Sequence, residues 1–247
     1  MAKARALDRR RRSIRNIRKI TRTMELIATA KFKKAMDRAH AATAYTRRVT
    51  QLVADVAQSG LEFSHPLLEE RDKVNNAALL VITANRGLCG GYNTNVVRAG
   101  LARYAELRGK IPHVRLEISG KRGIGAFKFR GHDPQERFTH FEDKPSFAEV
   151  DVLANRFLEE YITRRLDRLD VAYMQFTSIS KQAPVVETLL PLAALGDADN
   201  RPAGEKAGQT QYEFLPSAKS ILEEVVPTSF KVKLFKCFLD AAVSEQI

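Results

Sequence analysis

The chain has 247 residues, 44% of them apolar and 28% charged, with no tryptophan and two cysteines. Its longest unbroken apolar run, Ala77 to Ile82, is far short of the roughly 20 residues a membrane-spanning helix needs. Cys89 and Cys237 are too few for a disulfide framework or a thiolate metal site and fit a reducing compartment. The formal net charge is +12, and Met1 to Arg48 alone carry 16 Lys and Arg against three acids, so the remainder is close to neutral.

The first 59 residues contain neither glycine nor proline. They predict one uninterrupted helix over residues 1–59, about 80 Å long at ~1.5 Å per residue. A rod of that length cannot bury itself on its own domain and has to reach into something else. Its apolar residues Ile14, Ile17, Ile20, Met24 and Ile27 recur at steps of three and four and continue as Phe32, Ala35, Ala39, Ala42, Val49, Val53 and Val56. This is the narrow stripe of a coiled-coil seam, and the small residues in its middle allow a partner helix to come close. The arginine-rich start has the composition of an organelle transit peptide, but its apolar pattern runs on without a small-residue cleavage site, which argues against a leader. Gly60 suits the position past a helix end, and residues 60–75, with Pro66 and the Glu69 to Lys73 charge cluster, read as a linker.

From Asn76 strand and helix alternate over residues 76–195. Ala77 to Thr83 is a buried strand, Asn85 to Asn93 a loop followed by an amphipathic helix through about Leu107, and Val114 to Ser119 a second strand. A short helix is expected between Gly120 and Gly131, and a strong one over Phe147 to Leu166, with Val150, Leu153, Ala154, Phe157, Leu158 and Tyr161 on one face. Val171 to Thr177 and Val185 to Leu190 are further strands. Such alternation predicts an α/β, Rossmann-like domain with a mostly parallel sheet. Residues 196–216 read as a solvent loop. Ser217 is expected to cap a short helix that ends at Pro227, and a last helix follows, so that 217–247 supplies the second arm of an antiparallel coiled coil with the first helix.

The glycine-rich turn after the first strand, RGLCGGYN, is the obvious candidate for binding phosphate through helix N-terminal amides. It lacks the GK[ST] ending of a P-loop and the G-x-G-x-x-G spacing, so a tight turn that brings backbone close to a partner is the better reading. Cys89 in that turn has no histidine among His40, His65, His113, His132 and His140 in a supporting motif, and is read as a structural thiol. No H-E-x-x-H, G-x-S-x-G or Cys/His spacing points to a catalytic residue, a cofactor or a metal. Glu159, Glu160, Asp167 and Asp170 read as solvated charges. The basic helix itself leaves three partners open: acidic protein surface, nucleic acid and anionic membrane. The narrow stripe favours protein.

KITRTMELIATAKFKKAMDRA (Lys19 to Ala39) and ITANRGLCGGYNTN (Ile82 to Asn95) closely resemble the two signature regions of the gamma subunit of F-type ATP synthases. PVVETLLPL (Pro184 to Leu192) and LFKCFLDAAVSEQ (Leu234 to Gln246) resemble later segments of that family, in order. The resemblance covers essentially the whole chain. It implies a non-catalytic central stalk whose paired terminal helices stand inside a ring of alpha and beta subunits, with the ATP chemistry in beta and the α/β domain docked on the epsilon subunit and the membrane c-ring. No nucleic acid, cofactor or direct membrane insertion is implied. The location it implies is peripheral, at the cytoplasmic face of a bacterial inner membrane. The same resemblance places Arg22, Met24, Lys31, Lys33 and Lys34 against an acidic segment of beta, with Arg86, Gly87, Leu88, Cys89, Gly90 and Gly91 close by.

Two departures from the family pattern carry expectations. Family members continue past the SEQ segment at which this sequence stops, so much of the seam from Ile14 to Val56 is expected to lack its partner, leaving the N-terminal helix frayed or aggregation-prone in the isolated chain. Before Pro216 the family often carries an acid, whereas this chain has Leu215 with Glu213 two residues earlier, which alters the expected contact with the c-ring.

Overall fold

The computed structural model describes residues 2–58, 65–69, 71–141, 144–192 and 218–247. The expected loop over 196–216, the Ser217 cap, the Leu215 and Glu213 contact and most of the side chains near Val53 and Val56 lie outside the described residues.

Helix α1 runs unbroken over Ala2–Gln58, 57 residues. Nothing in its sequence interrupts the ladder, and hydroxyls that would compete elsewhere turn back onto it: Thr21, Thr29, Thr43 and Thr46 each donate to the carbonyl four residues earlier. Pairs such as Arg11–Asp8, Arg12–Asp8 and Arg22–Glu25 line its surface. They are exposed and contribute a few tenths of a kcal/mol each, ~0.3–0.5.

The sheet has five strands, β1 (Asn76–Ile82), β2 (His113–Ser119), β3 (Glu136–Phe138), β4 (Arg168–Ser178) and β5 (Lys181–Leu190), in the order β3-β2-β1-β4-β5. All neighbours are parallel except β4 and β5, which form an antiparallel hairpin. Helices α2 (Tyr92–Lys110), α3 (Lys121–Phe129) and α4 (Phe147–Ile162) fill the crossovers. Central β1 is covered on both faces, with Ala78, Leu79, Leu80 and Val81 fully buried, which is why its sequence is continuously apolar rather than alternating. The α4 face read from the sequence packs as expected: Val150, Leu153, Ala154, Phe157, Leu158 and Tyr161 are all buried. A capping box holds its start, with Ser146 and Glu149 bonding reciprocally.

Several details depart from the sequence reading. Strand β3 went unread because three residues carry no periodicity. Helix α4 ends at Ile162 rather than Leu166, because Arg164 turns into the left-handed region at φ 59° and the Arg165 amide bonds back to the Glu160 carbonyl at 2.8 Å. Strand β5 begins at Lys181 and contains Pro184, which the sheet tolerates because β5 is an edge. Helix α5 spans Ala218–Ser244 with Pro227 inside it, where two helices were expected. Burial on both sides of the proline overrides the break: Val226 and Phe230 are fully buried, and Thr228 and Ser229 hydroxyls donate to the Glu224 and Val226 carbonyls.

The larger correction concerns charge. Glu159 is exposed as expected, but Glu160, Asp167 and Asp170 are buried. Asp170 accepts from Arg103 at 2.6 Å, Arg168 at 2.9 Å and Thr188 at 2.9 Å. Asp167 takes the backbone amides of Asn75 and Asn76, both at 2.9 Å, and so fixes the entry to β1. Glu160 joins Arg115, Arg156 and the fully buried Glu117 in one network between β2 and α4. Each of these four carboxylates is offset by two or more donors, the condition under which burial of charge is tolerated.

Candidate interaction site at the base of the helical arm

The sheet and its helices hold α5 against β4 and α4, and α5 in turn holds α1. Ala35 and Ala39 of α1 are buried against Leu239 and Val243 of α5, with Phe32, Met36 and Ala42 packed around them. Small alanines permit that close approach. The hairpin adds a second hold, since Phe176 of β4 meets Phe32 and His40 edge-on, both at 6.4 Å between ring centres. Before this grip, no other described residue covers the apolar stripe of α1. Ile14, Ile17, Ile20, Met24 and Ile27 are between 47% and 59% exposed. The predicted seam therefore divides in the structure, with Ala35 and Ala39 packed and the five residues before them open. Of the predicted contact residues, Arg22 pairs with Glu25 on its own helix, Lys33 and Lys34 are exposed, and Lys31 is half-buried.

The glycine-rich turn lies between β1 and α2 and is braced from three sides. Asn93 accepts the Ala84 amide at 2.9 Å and donates to the Arg86 carbonyl and to the Cys89 sulfur, at 3.4 and 2.9 Å. Asn85 donates to the carbonyls of Thr139 and Phe141 and accepts the Lys121 amide. Arg86 reaches the far end of α5, pairing with Glu245 at 2.7 Å and donating to Gln246 at 2.8 Å. So held, the turn places Leu88 at φ 62° and Gly90 at φ 52°, and leaves the Leu88 side chain 92% exposed. Gly90 has open space around it, and Gly91 sits at the N-cap of α2. Gly87 lies against the Arg122 side chain.

Burial and the neighbouring Glu245 carboxylate push the Cys89 thiol above its usual range, so it is held protonated and is a poor nucleophile. The N-terminus of α3 is filled by protein: the amides of Lys121, Arg122 and Gly123 bond to Asn85, Ala84 and Thr83. At Gly120, φ 99°, a side chain would lie 2.1 Å from the Thr83 carbonyl oxygen, which explains the glycine by close backbone packing. Among the described residues no group of three or more His, Cys, Asp or Glu side chains is placed to hold a metal ion. No described helix is long and apolar enough to cross a membrane. Glu245, Gln246, Asn85 and Asn93 were missed by sequence reasoning. Only the run of polar residues ending an otherwise apolar helix signalled the first two.

The geometry is that of an α/β module which grips a long basic helix at its middle and offers a rigid turn beside the grip: the class is a structural, assembly-forming protein. Comparison with known proteins gives the particular family. A model of the family described as ATP synthase matches residues 3–247. The chain is 61% identical to the ATP synthase gamma chain of Rhodopirellula baltica over 248 aligned positions, covering 100% of this chain and 84% of that protein. It is 34% identical to the ATP synthase gamma chain of Leptospira biflexa, with 100% and 84% covered. It shares its fold with a chain in the central stalk and c-ring structure of the Tetrahymena thermophila mitochondrial ATP synthase, at TM-score 0.63 and 15% identity, covering 92% of this chain and 94% of that one. The chain belongs to the ATP synthase gamma chain family.

Proposed function

We propose that this chain is the central stalk of an F-type ATP synthase, the rotor that couples ion-driven turning of a membrane c-ring to ATP synthesis or hydrolysis. It performs no covalent step. Its work is conformational: an asymmetric shaft that contacts each surrounding subunit differently shifts that subunit among states of different nucleotide affinity. On this reading catalysis resides in the beta subunits of an alpha and beta ring, and the epsilon subunit and c-ring meet the α/β part. The complex sits at the cytoplasmic face of a bacterial inner membrane, with this chain peripheral to it.

The observation that carries the reading is the division of α1. Its middle, from Phe32 to Ala42, is gripped by α5 and β4, while residues 14–27 present an exposed apolar stripe on a dense basic surface. Such a surface fits a socket with acidic walls. Arg22, Met24, Lys31, Lys33, Lys34 and the turn residues Gly87 to Gly91 are assigned to the contact with beta, while the Arg86 side chain turns inward onto Glu245. The two competing readings, a nucleic-acid-binding coil and a nucleotide-binding enzyme, lack this fit.

A rotation assay tests the proposal. With the alpha and beta ring fixed to a surface and a bead attached to the α/β part of this chain, ATP should drive stepwise turning in one direction. A ring that hydrolyses ATP while the bead stays still would refute it. Saturable binding of ATP or NAD to the chain alone would favour the enzyme instead.

A further inference from the structure

We propose that Arg86 is a positioning residue, a clamp that ties the glycine-rich turn to the end of α5 so that sheet and arm turn as one body. The assignment differs from the outward, partner-facing role that the sequence suggested for this side chain. One guanidinium serves three acceptors: Nε donates to Glu245 Oε1 at 2.7 Å, and Nη2 donates to Gln246 Oε1 at 2.8 Å and to the Glu245 carbonyl at 3.3 Å. Both acceptor residues are buried, at 8% exposure each. A planar fork with fixed donor directions can hold such a set, whereas the point charge of lysine cannot span it.

Each side of the clamp is anchored. On the turn side, the Arg86 carbonyl is held by Asn93, which also takes the amide of Ala84 at the end of β1. Asn85 ties the same turn to the segment after β3 and to the start of α3. On the other side, the Glu245 and Gln246 amides bond to the carbonyls of Ala241 and Val243, so both residues continue the path of α5. Val243 belongs to the cluster that grips Ala35 and Ala39 of α1. A continuous line of contacts thus leads from the sheet through Arg86 to both helices of the arm.

Packing joins α5 to the sheet through residues such as Phe230, Leu234 and Phe238, and the clamp adds a polar tie at the end of the helix. A cavity of about 30 Å³ lies beneath the clamp, lined by Ile82, Tyr92, Phe141, Phe238 and Glu245 among others, room for about one water. The helix end is buried around this crevice, and the clamp adds directional polar contacts that fix its angle. Resting on the stalk reading, the consequence is mechanical: twisting α5 against the sheet requires breaking the Arg86 contacts, so the clamp sets how faithfully rotation of the α/β part reaches the arm.

The experiment has two arms. In the full chain, amide exchange read by mass spectrometry should speed up in residues 84–93 and 239–247 together in R86A, by roughly tenfold or more for loss of a charged hydrogen-bond set. Exchange in β1 should stay as in the parent. Faster exchange in one segment only, equal acceleration throughout β1, or no change would overturn the clamp. In the assembled synthase, R86A should move fewer ions per ATP hydrolysed than the parent enzyme. An unchanged ratio would overturn the transmission role. A parent complex that assembles but pumps nothing would instead refute the stalk reading, and the exchange result would still decide whether the clamp exists.

Discussion

Strand β1 and the front of α1 are equally apolar in their inward-facing residues, yet they meet opposite fates. Leu79, Leu80 and Val81 are wholly buried, sandwiched by helices the same chain supplies. Ile14, Ile17 and Ile20 are more than half exposed. The difference teaches that the α/β part buries its own apolar strand, whereas the front of α1 carries its apolar stripe for use elsewhere. Hydrophobic burial drives folding only where a partner surface is present, so one chain holds a packed body and a half-interface.

The largest expected effect lies in the body. Phe157→Ala removes a ring that is fully buried on α4 and should lower stability by about 3–5 kcal/mol, read by denaturant unfolding. A smaller loss would mean the body is looser than its packing suggests. Next comes Glu117→Gln, which removes one of the two carboxylates that Arg115 and Arg156 share and leaves them with Glu160. Breaking a buried pair costs about 3–5 kcal/mol, but both arginines keep about a third of their side-chain surface in solvent, so about 2 kcal/mol is expected after screening.

A gentler probe is pH. Burial lowers the pKa of His65 below its ordinary 6.5, against the opposing pull of Glu223 and Glu69, and the Leu67 amide donates to its Nδ1 at 3.1 Å. The folded state therefore binds that proton less readily than the unfolded chain. Stability should be full above pH ~6.5 and fall as pH drops through the lowered folded value. His65→Gln should flatten that slope in thermal melts across pH 5 to 7; an unaltered slope would assign it to other groups. The smallest effect belongs to the rod. Ile17→Ala in the isolated chain should change stability by no more than about 0.5 kcal/mol, as for an exposed surface position.

Legibility in the sequence follows the same division. The alternating strands and helices, the α4 face and the long rod were readable because each rests on periodicity within one segment. Ala35 and Ala39 were readable as a close-packing site because small residues interrupt a large-residue stripe. What failed depended on partners distant in sequence. Asp170 looked solvated because Arg103, 67 residues away, supplies its counter-charge. Arg86 looked outward because Glu245 lies 159 residues on. Pro227 looked like a helix end because tertiary burial on both flanks leaves no local trace. At the site, the turn and the seam were legible as motifs, while the clamp that joins the turn to the arm was not.

The comparison between body and rod is tested most directly by oxidative footprinting of residues 14–27 in the free chain and in its complex with alpha and beta subunits. Met24, now 47% exposed, and its isoleucine neighbours should oxidise readily when the chain is alone and become strongly protected in the complex, while the buried residues of β1 remain unreactive in both. Equal labelling of the stripe in the two states would contradict the claim that the front of α1 is built to be covered by that ring.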